Sequence, residues 1–401
     1  MPRPKSKTAS RIAIVNGEIY TSRMMIRRGV VVVQDGKIEA VEVSSPSAGL
    51  LKGALVVDAG GMIVAPGFVD LHIHGAGGGD TSDCKVESIR KMASTLVRFG
   101  TTSFLPTIYP ASESGMIRRV ATVRRAAEAP RKGAEILGVH LEGPFLNPRR
   151  KGALRAKDLR PVSLEELHNF IEASNDGIRL ISVAPEIPGA IELIRECRNR
   201  GIRTAVGHSD ASHEEMSVGI NAGINHVTHV FNALRRTHHR DPGVMGTVLT
   251  NPEITVELIA DMHHVHPVVV KLLLLAKPAD KICLITDALR IAGLRGKRFI
   301  ADGRKVTVAD GVAKLPDGTI AGSVLTLNRA VGNMVATGMV PLEDALKMAS
   351  VIPAKVLGVN HRKGNILPGS DADIVILGRD FHVQMTMVGG KIVHQKRKSG
   401  N

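Results

Sequence analysis

The chain has few aromatic residues and few cysteines for its length. Its 401 residues include no tryptophan, two tyrosines and eight phenylalanines, so it offers little surface on which nucleic-acid bases could stack. Cys84, Cys197 and Cys283 lie far apart and form no CxxC pair, which argues against a cysteine zinc site and a disulfide framework. We therefore expect neither a nucleic-acid-binding protein nor one held together by disulfides.

The chain also lacks a long apolar run. The longest candidate, residues 268–276, is interrupted by Lys271 and is too short to cross a bilayer. Residues 1–10 are basic and polar and are predicted to form a flexible tail, since no apolar signal-peptide core follows them. These features predict a cytoplasmic protein with no membrane contact.

The charge balance is basic, with 53 lysines and arginines against 38 aspartates and glutamates and a formal net charge of +15. Such an excess is compatible with a nucleic-acid partner, a small anionic substrate or a solvated basic surface. Because base-stacking aromatics and nucleic-acid motifs are lacking, the last two interpretations are favoured.

Both ends of the chain are rich in short β-strand patterns. Tight-turn pairs at Asn16-Gly17, Asp35-Gly36 and Gly389-Gly390 separate β-branched segments, as in β-hairpins. The simplest explanation is a small β-sandwich domain that residues 11–65 and 359–401 form together.

The middle of the chain, residues 66–358, alternates short apolar runs with longer helical patterns. Eight such units in about 290 residues predict an α/β fold of the (β/α)8 TIM-barrel type. A turn-rich stretch near 297–322 is expected to be a β-hairpin insertion in the last loop. The eight runs are residues 67–74, 102–108, 135–144, 178–186, 203–211, 226–233, 255–264 and 281–288.

Polar residues lie at the C-terminal end of nearly every run. In a barrel these ends converge on one face, where the active sites of this architecture are found. His72 and His74 alternate with apolar residues and so point to the same side of their strand. Together with other histidines and Glu142 they form a ligand set suited to Zn²⁺ or Fe²⁺. The polar residues at the strand ends are His72, His74, Glu142, His208, His229, His264 and Asp287, of which the first five make up the ligand set.

Taken one at a time, each of these residues has an ordinary explanation. A single histidine at a strand end is more often a packed core residue, and a single glutamate there is usually capped or solvated. Asp287 could cap the helix after its strand, or it could act as a base beside a metal-activated water. The number of candidate ligands at equivalent positions favours the metal site.

Seven motifs resemble the N-acetylglucosamine-6-phosphate deacetylase family of the amidohydrolase superfamily, and they occur in the same order as in that family. The resemblance extends from about residue 11 to 394. A single motif would be weak, but the set is highly specific. The motifs are "APGFVDLHIHG", "HLEGPF", "GHSDA", "THVFNA", "ADMHHVHP", "ITDA" and "AGSVLTL".

The resemblance implies metal-dependent hydrolysis of the N-acetyl group of N-acetylglucosamine 6-phosphate by a homodimer with one or two Zn²⁺ or Fe²⁺ ions per subunit. It makes Glu142, His208 and His229 the principal ligands and His72 and His74 the holders of a second ion. Many other amidohydrolases bridge two ions with a lysine after the fourth strand; "LISVAPE" has none, and Glu142 would serve instead. Asp287 matches the catalytic aspartate. The implied substrate contacts are Asn232, Ala233, His264, Ala153, Ser323 and Arg240, the last reaching into the active site of the neighbouring subunit.

One position departs from the family pattern. Better-known members carry a histidine that helps to polarise the acetyl carbonyl, and this chain has Leu154 there. Either a second metal ion polarises the carbonyl, or the substrate is a different N-acyl compound or cyclic amide. A barrel kept as a non-catalytic sugar-phosphate sensor is a further alternative, but it predicts missing ligands, and here all are present.

Overall fold

Strands and helices alternate through the middle of the chain, whereas both ends consist mainly of strands. The computed structural model describes residues 11–43, 48–309 and 311–396; the predicted tail at residues 1–10 lies outside them. The strands are β1 Arg11–Tyr20, β2 Met25–Gln34, β3 Lys37–Glu42, β4 Leu55–Asp58, β5 Ile63–Pro66, β6 Phe68–Ile73, β7 Gly75–Ala76, β8 Gly79–Asp80, β9 Thr101–Ile108, β10 Glu135–Ile136, β11 Val139–Glu142, β12 Ile178–Val183, β13 Arg203–Val206, β14 His226–Val227, β15 Thr255–Ile259, β16 Ile282–Ile285, β17 Arg298–Ala301, β18 Arg304–Ala309, β19 Val312–Lys314, β20 Ile320–Ser323, β21 Ile374–Leu377, β22 Val383–Val388 and β23 Lys391–Gln395.

The helices connect these strands. The α-helices are α1 Ala48–Leu51, α2 Val86–Leu96, α3 Glu113–Glu128, α4 Leu164–Ser174, α5 Ala190–Asn199, α6 His213–Ala222, α7 Gly243–Thr250, α8 Pro267–Ala276, α9 Leu327–Ala336, α10 Leu342–Ala349 and α11 Val351–Val356. Short 3-10 helices cover Thr81–Asp83, Val97–Phe99, Pro148–Arg150, Ala156–Asp158 and Ala279–Lys281. In the described ranges, none of the helices is both long and apolar enough to cross a bilayer.

Eight parallel strands, β6, β9 and β11 to β16, form the predicted barrel. The circle closes between β6 and the residues after β16, where the Asp287 N–H donates to the His72 carbonyl oxygen at 2.8 Å. The TIM-barrel prediction is therefore confirmed. The closing hydrogen bond also brings together two of the predicted site residues.

Apolar runs explain why the barrel strands are buried and the helices lie outside. Every residue of β9 is buried, as expected for a strand covered on both faces. Helix α2 turns Ile89, Met92 and Leu96 inward, and each large side chain buried in this way stabilises the fold by about 1.5–3 kcal/mol. Helix α6 begins at a capping box between Ser212 and Glu215. These elements fix the strand ends that carry the site.

Strands from both chain ends form a second sheet, as predicted for the small domain. Its order is β23-β22-β21-β5-β1-β2-β3, with β4 paired to β1. Both faces are apolar: Ile12 and Ile14 pack in one cluster, and the alternating Ala13 and Val15 pack in another. The β5 strand runs directly into β6, so this sheet adjoins the barrel.

The insertion after β16 lies where a β-hairpin was expected, near 297–322, but it contains four strands. Strands β17 to β20 form a four-stranded antiparallel sheet. Arg304 donates to the Ala153 carbonyl oxygen, and Arg119 contacts Asp302 at 3.1 Å. The first contact holds the sheet over the loop that follows β11, and the second attaches it to α3.

Candidate metal centre and substrate cavity

Two groups of metal-binding side chains meet at the C-terminal ends of the barrel strands. In each group the ligand atoms lie within 4.8 Å of one another. The first group is Glu142, His208 and His229; the second is His72, His74 and Asp287.

The Glu142 carboxylate lies between the two groups. Its Oε1 atom is 3.1 Å from Nε2 of both His208 and His229. Its Oε2 atom is 3.3 Å from Nε2 of His74. A carboxylate in this position can bridge two ions, which is the role that the absent lysine would otherwise fill.

In each group the imidazole Nε2 atoms of two histidines face each other. The Nε2 atoms of His208 and His229 are 3.2 Å apart, and those of His72 and His74 are 3.3 Å apart. Imidazole nitrogens and carboxylate oxygens that converge in a buried site are the donor set of a divalent ion. The side chains therefore fit a metal ion well.

Hydrogen bonds to the other ring nitrogen orient three of the four histidines. The Nδ1 atom of His74 is 3.1 Å from the Thr107 carbonyl oxygen, and that of His208 is 2.9 Å from the Arg150 carbonyl oxygen. The Nδ1 atom of His72 is 3.0 Å from the Glu257 carboxylate. A donated Nδ1–H leaves the Nε2 lone pair directed into the site.

Three site residues adopt left-handed backbone conformations. The φ angles are +46° for His208, +28° for His229 and +46° for Asp287. This region is uncommon for residues other than glycine, and such strain concentrates at functional sites. Sharp turns at the strand tips direct these side chains into the cavity.

Asp287 completes the second group, with Oδ1 3.3 Å from Nε2 of His74 and 3.6 Å from Nε2 of His72. Burial alone would raise the pKa of this carboxyl, but the charge of His72 and the hydrogen bond to His74 lower it below its ordinary value. The carboxylate is thus ionised at neutral pH and available to accept a proton.

A cavity of about 220 Å³ opens directly above the two groups. It includes four of the six predicted substrate residues: Ala153, Asn232, Ala233 and His264. A larger opening, about 560 Å³, lies between the small sheet and the barrel, but it contains none of the predicted site residues. The small cavity is therefore the candidate substrate site.

His264 lines this cavity and has one ring nitrogen without a partner among the described residues. Its Nδ1 atom is 2.6 Å from Oδ2 of Asp261, whereas its Nε2 atom is buried without a partner among the described residues. Burial lowers the pKa of His264, but the hydrogen bond and charge of Asp261 outweigh burial and raise it above 6.5. A protonated imidazole with an unpaired N–H at the cavity wall suits an anionic group.

The structure does not bring Ser323 or Arg240 into the cavity. Ser323 is fully buried; its hydroxyl donates to the Thr286 carbonyl oxygen at 2.5 Å, and its N–H donates to the Asp287 carbonyl oxygen at 2.9 Å. Ser323 therefore supports the turn at Asp287. Arg240 is exposed on the loop before α7, and its Nη1 atom contacts His239 at 2.6 Å.

Leu154 and Tyr109 form an apolar side of the cavity. Both belong to a buried cluster with Leu146. The Tyr109 ring stacks on His74, with centroids 3.7 Å apart and planes 8° apart. Arg304 from the inserted sheet also lines the cavity. The departure at Leu154 therefore places an apolar side chain at the site.

Sequence reasoning missed four residues of this region: Tyr109, Glu257, Asp261 and Arg304. Two of the four could have been found from the sequence. Glu257 is a lone carboxylate inside the apolar run of β15, and Asp261 directly precedes the "MHH" that contains His264. Nothing in the local sequence indicates that β18 would bring Arg304 to the cavity.

An eight-stranded parallel barrel with histidine and carboxylate clusters at its strand ends defines the amidohydrolase class of hydrolase. The amidohydrolase family profile matches residues 63–393. The N-acetylglucosamine-6-phosphate deacetylase of Bacillus subtilis (strain 168) is 37% identical over 387 residues, covering 96% of this chain and 97% of that protein. The N-acetylgalactosamine-6-phosphate deacetylase of Escherichia coli O157:H7 is 34% identical and covers 90% and 93%, respectively.

Solved structures agree with these relatives. An aspartate-to-alanine mutant of N-acetyl-D-glucosamine-6-phosphate deacetylase from Mycobacterium smegmatis, in complex with N-acetyl-D-glucosamine-6-phosphate, superposes with a TM-score of 0.90 at 29% identity, covering 96% of this chain and 99% of that one. The enzyme from Pasteurella multocida gives 0.89 at 32% identity, with coverage of 95% and 99%. The chain therefore belongs to the N-acetylglucosamine-6-phosphate deacetylase family of the amidohydrolases.

Proposed function

We propose that this chain hydrolyses the N-acetyl group of N-acetylglucosamine 6-phosphate and releases glucosamine 6-phosphate and acetate. The observation that carries the proposal is that Asp287 lies with His72 and His74 in one cluster of metal-binding side chains, which the Glu142 carboxylate connects to the other cluster. The relatives named above act on 6-phosphorylated N-acetyl amino sugars, according to their names.

Glu142, His208 and His229 would hold one divalent ion, and His72 and His74 would help to hold a second. Zn²⁺ and Fe²⁺ both suit nitrogen and carboxylate ligands of this kind. When bound, such an ion lowers the pKa of a coordinated water and polarises a carbonyl oxygen. The buried position of all five side chains keeps bulk water away from this chemistry.

Asp287 transfers the proton. As an ionised carboxylate it accepts a proton from the attacking water, and as an acid it then donates that proton to the amine of the leaving sugar. The Asp287 N–H and carbonyl oxygen are both held in backbone hydrogen bonds, to His72 and Ser323. This anchoring fixes the carboxylate in place for both transfers.

The far side of the cavity would bind the sugar phosphate. His264 contributes a buried N–H donor, and Asn232 and Ala233 line the same cavity. An arginine is the residue best suited to bidentate contact with a phosphate dianion. The Arg240 side chain is exposed and lies outside the cavity of its own subunit, so it would bind the phosphate in the cavity of a second subunit.

An exposed apolar stripe supports the homodimer part of the proposal. Val268, Leu272 and Leu275 are each more than half exposed and lie on one face of α8. This helix begins three residues after His264, just as α7 begins three residues after Arg240. A partner packed on this surface would therefore lie close to the phosphate end of the cavity.

The galactosamine epimer is a second candidate substrate, because the E. coli O157:H7 relative bears that name at similar identity. A panel of N-acetylglucosamine, N-acetylgalactosamine, their 6-phosphates and N-acyl amino acids tests the assignment. The proposal expects the highest kcat/KM for N-acetylglucosamine 6-phosphate. A preference for an unphosphorylated or non-sugar amide would contradict it.

A further inference from the structure

Glu257 is a fully buried carboxylate directly beneath the metal-binding clusters. Its Oε2 atom accepts hydrogen bonds from Nδ1 of His72 at 3.0 Å and from the backbone N–H of His229 at 3.1 Å. Its Oε1 atom is 3.4 Å from Nε2 of His226. One oxygen atom thus contacts a residue from each of the two clusters.

The contact with His72 determines which ring nitrogen faces the ions. The Glu257 carboxylate accepts a hydrogen bond from Nδ1 of His72. The ring proton is therefore on Nδ1, and the lone pair is on Nε2. That Nε2 atom points at His74 and Asp287. Without the carboxylate, the His72 ring could adopt the other tautomer, which has no lone pair at that position.

The contact with His229 acts on the backbone. His229 has the lowest positive φ of the three strained tip residues, +28°. The Glu257 side chain accepts from its N–H, and the Glu257 carbonyl oxygen accepts from the Val230 N–H at 2.8 Å. Glu257 therefore holds the strand end from which the His229 imidazole reaches Glu142.

The nature of these contacts argues against a purely structural role. Burying a carboxylate is costly unless it is paired, and similarly sized apolar side chains often stabilise a core better. Within the described ranges, the ion-pair partners of Glu257 are the imidazoles of His72 and His226, with no lysine or arginine among them. One of these two imidazoles, that of His72, belongs to the site.

We infer that Glu257 is a positioning residue that couples the two metal clusters: it fixes the imidazole of His72 for one ion and the backbone of His229 for the other. The inference rests on the proposed function, because it takes these histidines as ligands. Removing a hydrogen-bond partner of a metal ligand typically lowers metal affinity by about 10–100-fold.

The test is a Co²⁺ titration of metal-stripped protein, followed by visible absorbance and by the number of ions bound per subunit. The variants are Glu257→Gln, His72→Ala, the double variant and His208→Ala. Glu166→Gln is the matched control, since Glu166 is also a buried carboxylate but pairs with Arg160 outside the site. Thermal melting establishes that each variant is folded.

Glu257→Gln is expected to weaken the His72-dependent binding step about 10–100-fold. At the His72-dependent step the double variant should bind no more weakly than His72→Ala alone, whereas at the step that depends on His208 and His229 it should bind more weakly, because Glu257 also holds the His229 backbone. Glu166→Gln should bind as the wild type does. A wild-type isotherm for Glu257→Gln, or no effect of His72→Ala, overturns the inference. If Glu257→Gln does not fold, Glu257→Asp, which withdraws the carboxylate from His72, should weaken the same step; unchanged affinity in that variant also overturns it.

His208→Ala separates this inference from the proposed function. It is expected to abolish binding at the first cluster. If its isotherm equals that of the wild type, the proposed ligand set is wrong, whatever Glu257→Gln does. If His208→Ala loses the ion and Glu257→Gln does not, only the role of Glu257 is wrong.

Discussion

Asp261 accepts a 2.6 Å hydrogen bond from Nδ1 of His264, whose other ring nitrogen is buried without a partner among the described residues. Asp261 raises the pKa of His264 above the ordinary histidine value of 6.5, so the imidazole stays protonated to a higher pH. The contact links a residue of the predicted phosphate site to one that the sequence did not single out.

Asp261→Asn should make binding of the phosphorylated substrate more sensitive to pH. In the wild type, protonated His264 is present below its raised pKa and is lost as the pH rises through that value. The variant lowers the pKa of His264, so KM should begin to rise at a lower pH. Initial rates from pH 6 to pH 9 check this, with unphosphorylated N-acetylglucosamine as the control; identical KM profiles in both proteins would exclude the mechanism.

Arg240→Ala should raise KM for the 6-phosphate far more than for the unphosphorylated sugar. Because Arg240 lies outside its own cavity, a mixture of the Arg240→Ala and Asp287→Asn proteins should regain activity through hybrid dimers. An equimolar exchange gives hybrids with one complete site, so at low substrate about a quarter of the wild-type rate is expected. Recovery measured after subunit exchange checks this, and no recovery would indicate that Arg240 acts within its own subunit or not at all.

The barrel and its clusters could be predicted from the sequence because they depend on local patterns. His72 and His74 end an apolar strand, and Glu142, His208 and Asp287 do the same on other strands. The parallel topology then brings them together at one end. The positions of Arg240 and Ser323 relative to the cavity depend on loop conformation, which no periodic pattern encodes.

Leu154→Met should retain kcat within a few-fold of the wild type. Leu154 packs with Tyr109 and Leu146 and has no polar atom with which to polarise a carbonyl. Leu154→Ala should instead lower the free energy of unfolding by about 2 kcal/mol through the cavity it leaves. Steady-state kinetics and denaturant unfolding distinguish these effects; a loss of kcat in the methionine variant comparable to that of Asp287→Asn would show that this position takes part in the chemistry.

Removing the metal should lower both activity and thermal stability. Ions that bind only the folded protein stabilise it by mass action, and here they would be held by the carboxylates and imidazoles that converge within 4.8 Å. Melting with and without a chelator, followed by Zn²⁺ or Fe²⁺ addition, checks this. An unchanged melting temperature together with full activity after chelation would contradict a metal-dependent site.

Glu257 and the inserted sheet show where sequence reasoning reached its limit. A lone carboxylate in β15 is visible in the sequence, but its contacts with His72 and His229 depend on how three strands are placed around the barrel. Likewise, turn pairs near 297–322 indicate hairpins, yet only the packing of Arg304 against Ala153 brings that sheet over the cavity. Long-range contacts of this kind leave no local pattern.

The most direct test measures acetate release from N-acetylglucosamine 6-phosphate by the metal-loaded wild type and by Asp287→Asn. The wild type should release acetate and glucosamine 6-phosphate in equal amounts. The variant should keep the ion held by Glu142, His208 and His229 and lose at least about 100-fold in kcat, as expected when a general base is removed. No acetate release by the metal-loaded wild type, or turnover by Asp287→Asn within a few-fold of it, would contradict the proposed function.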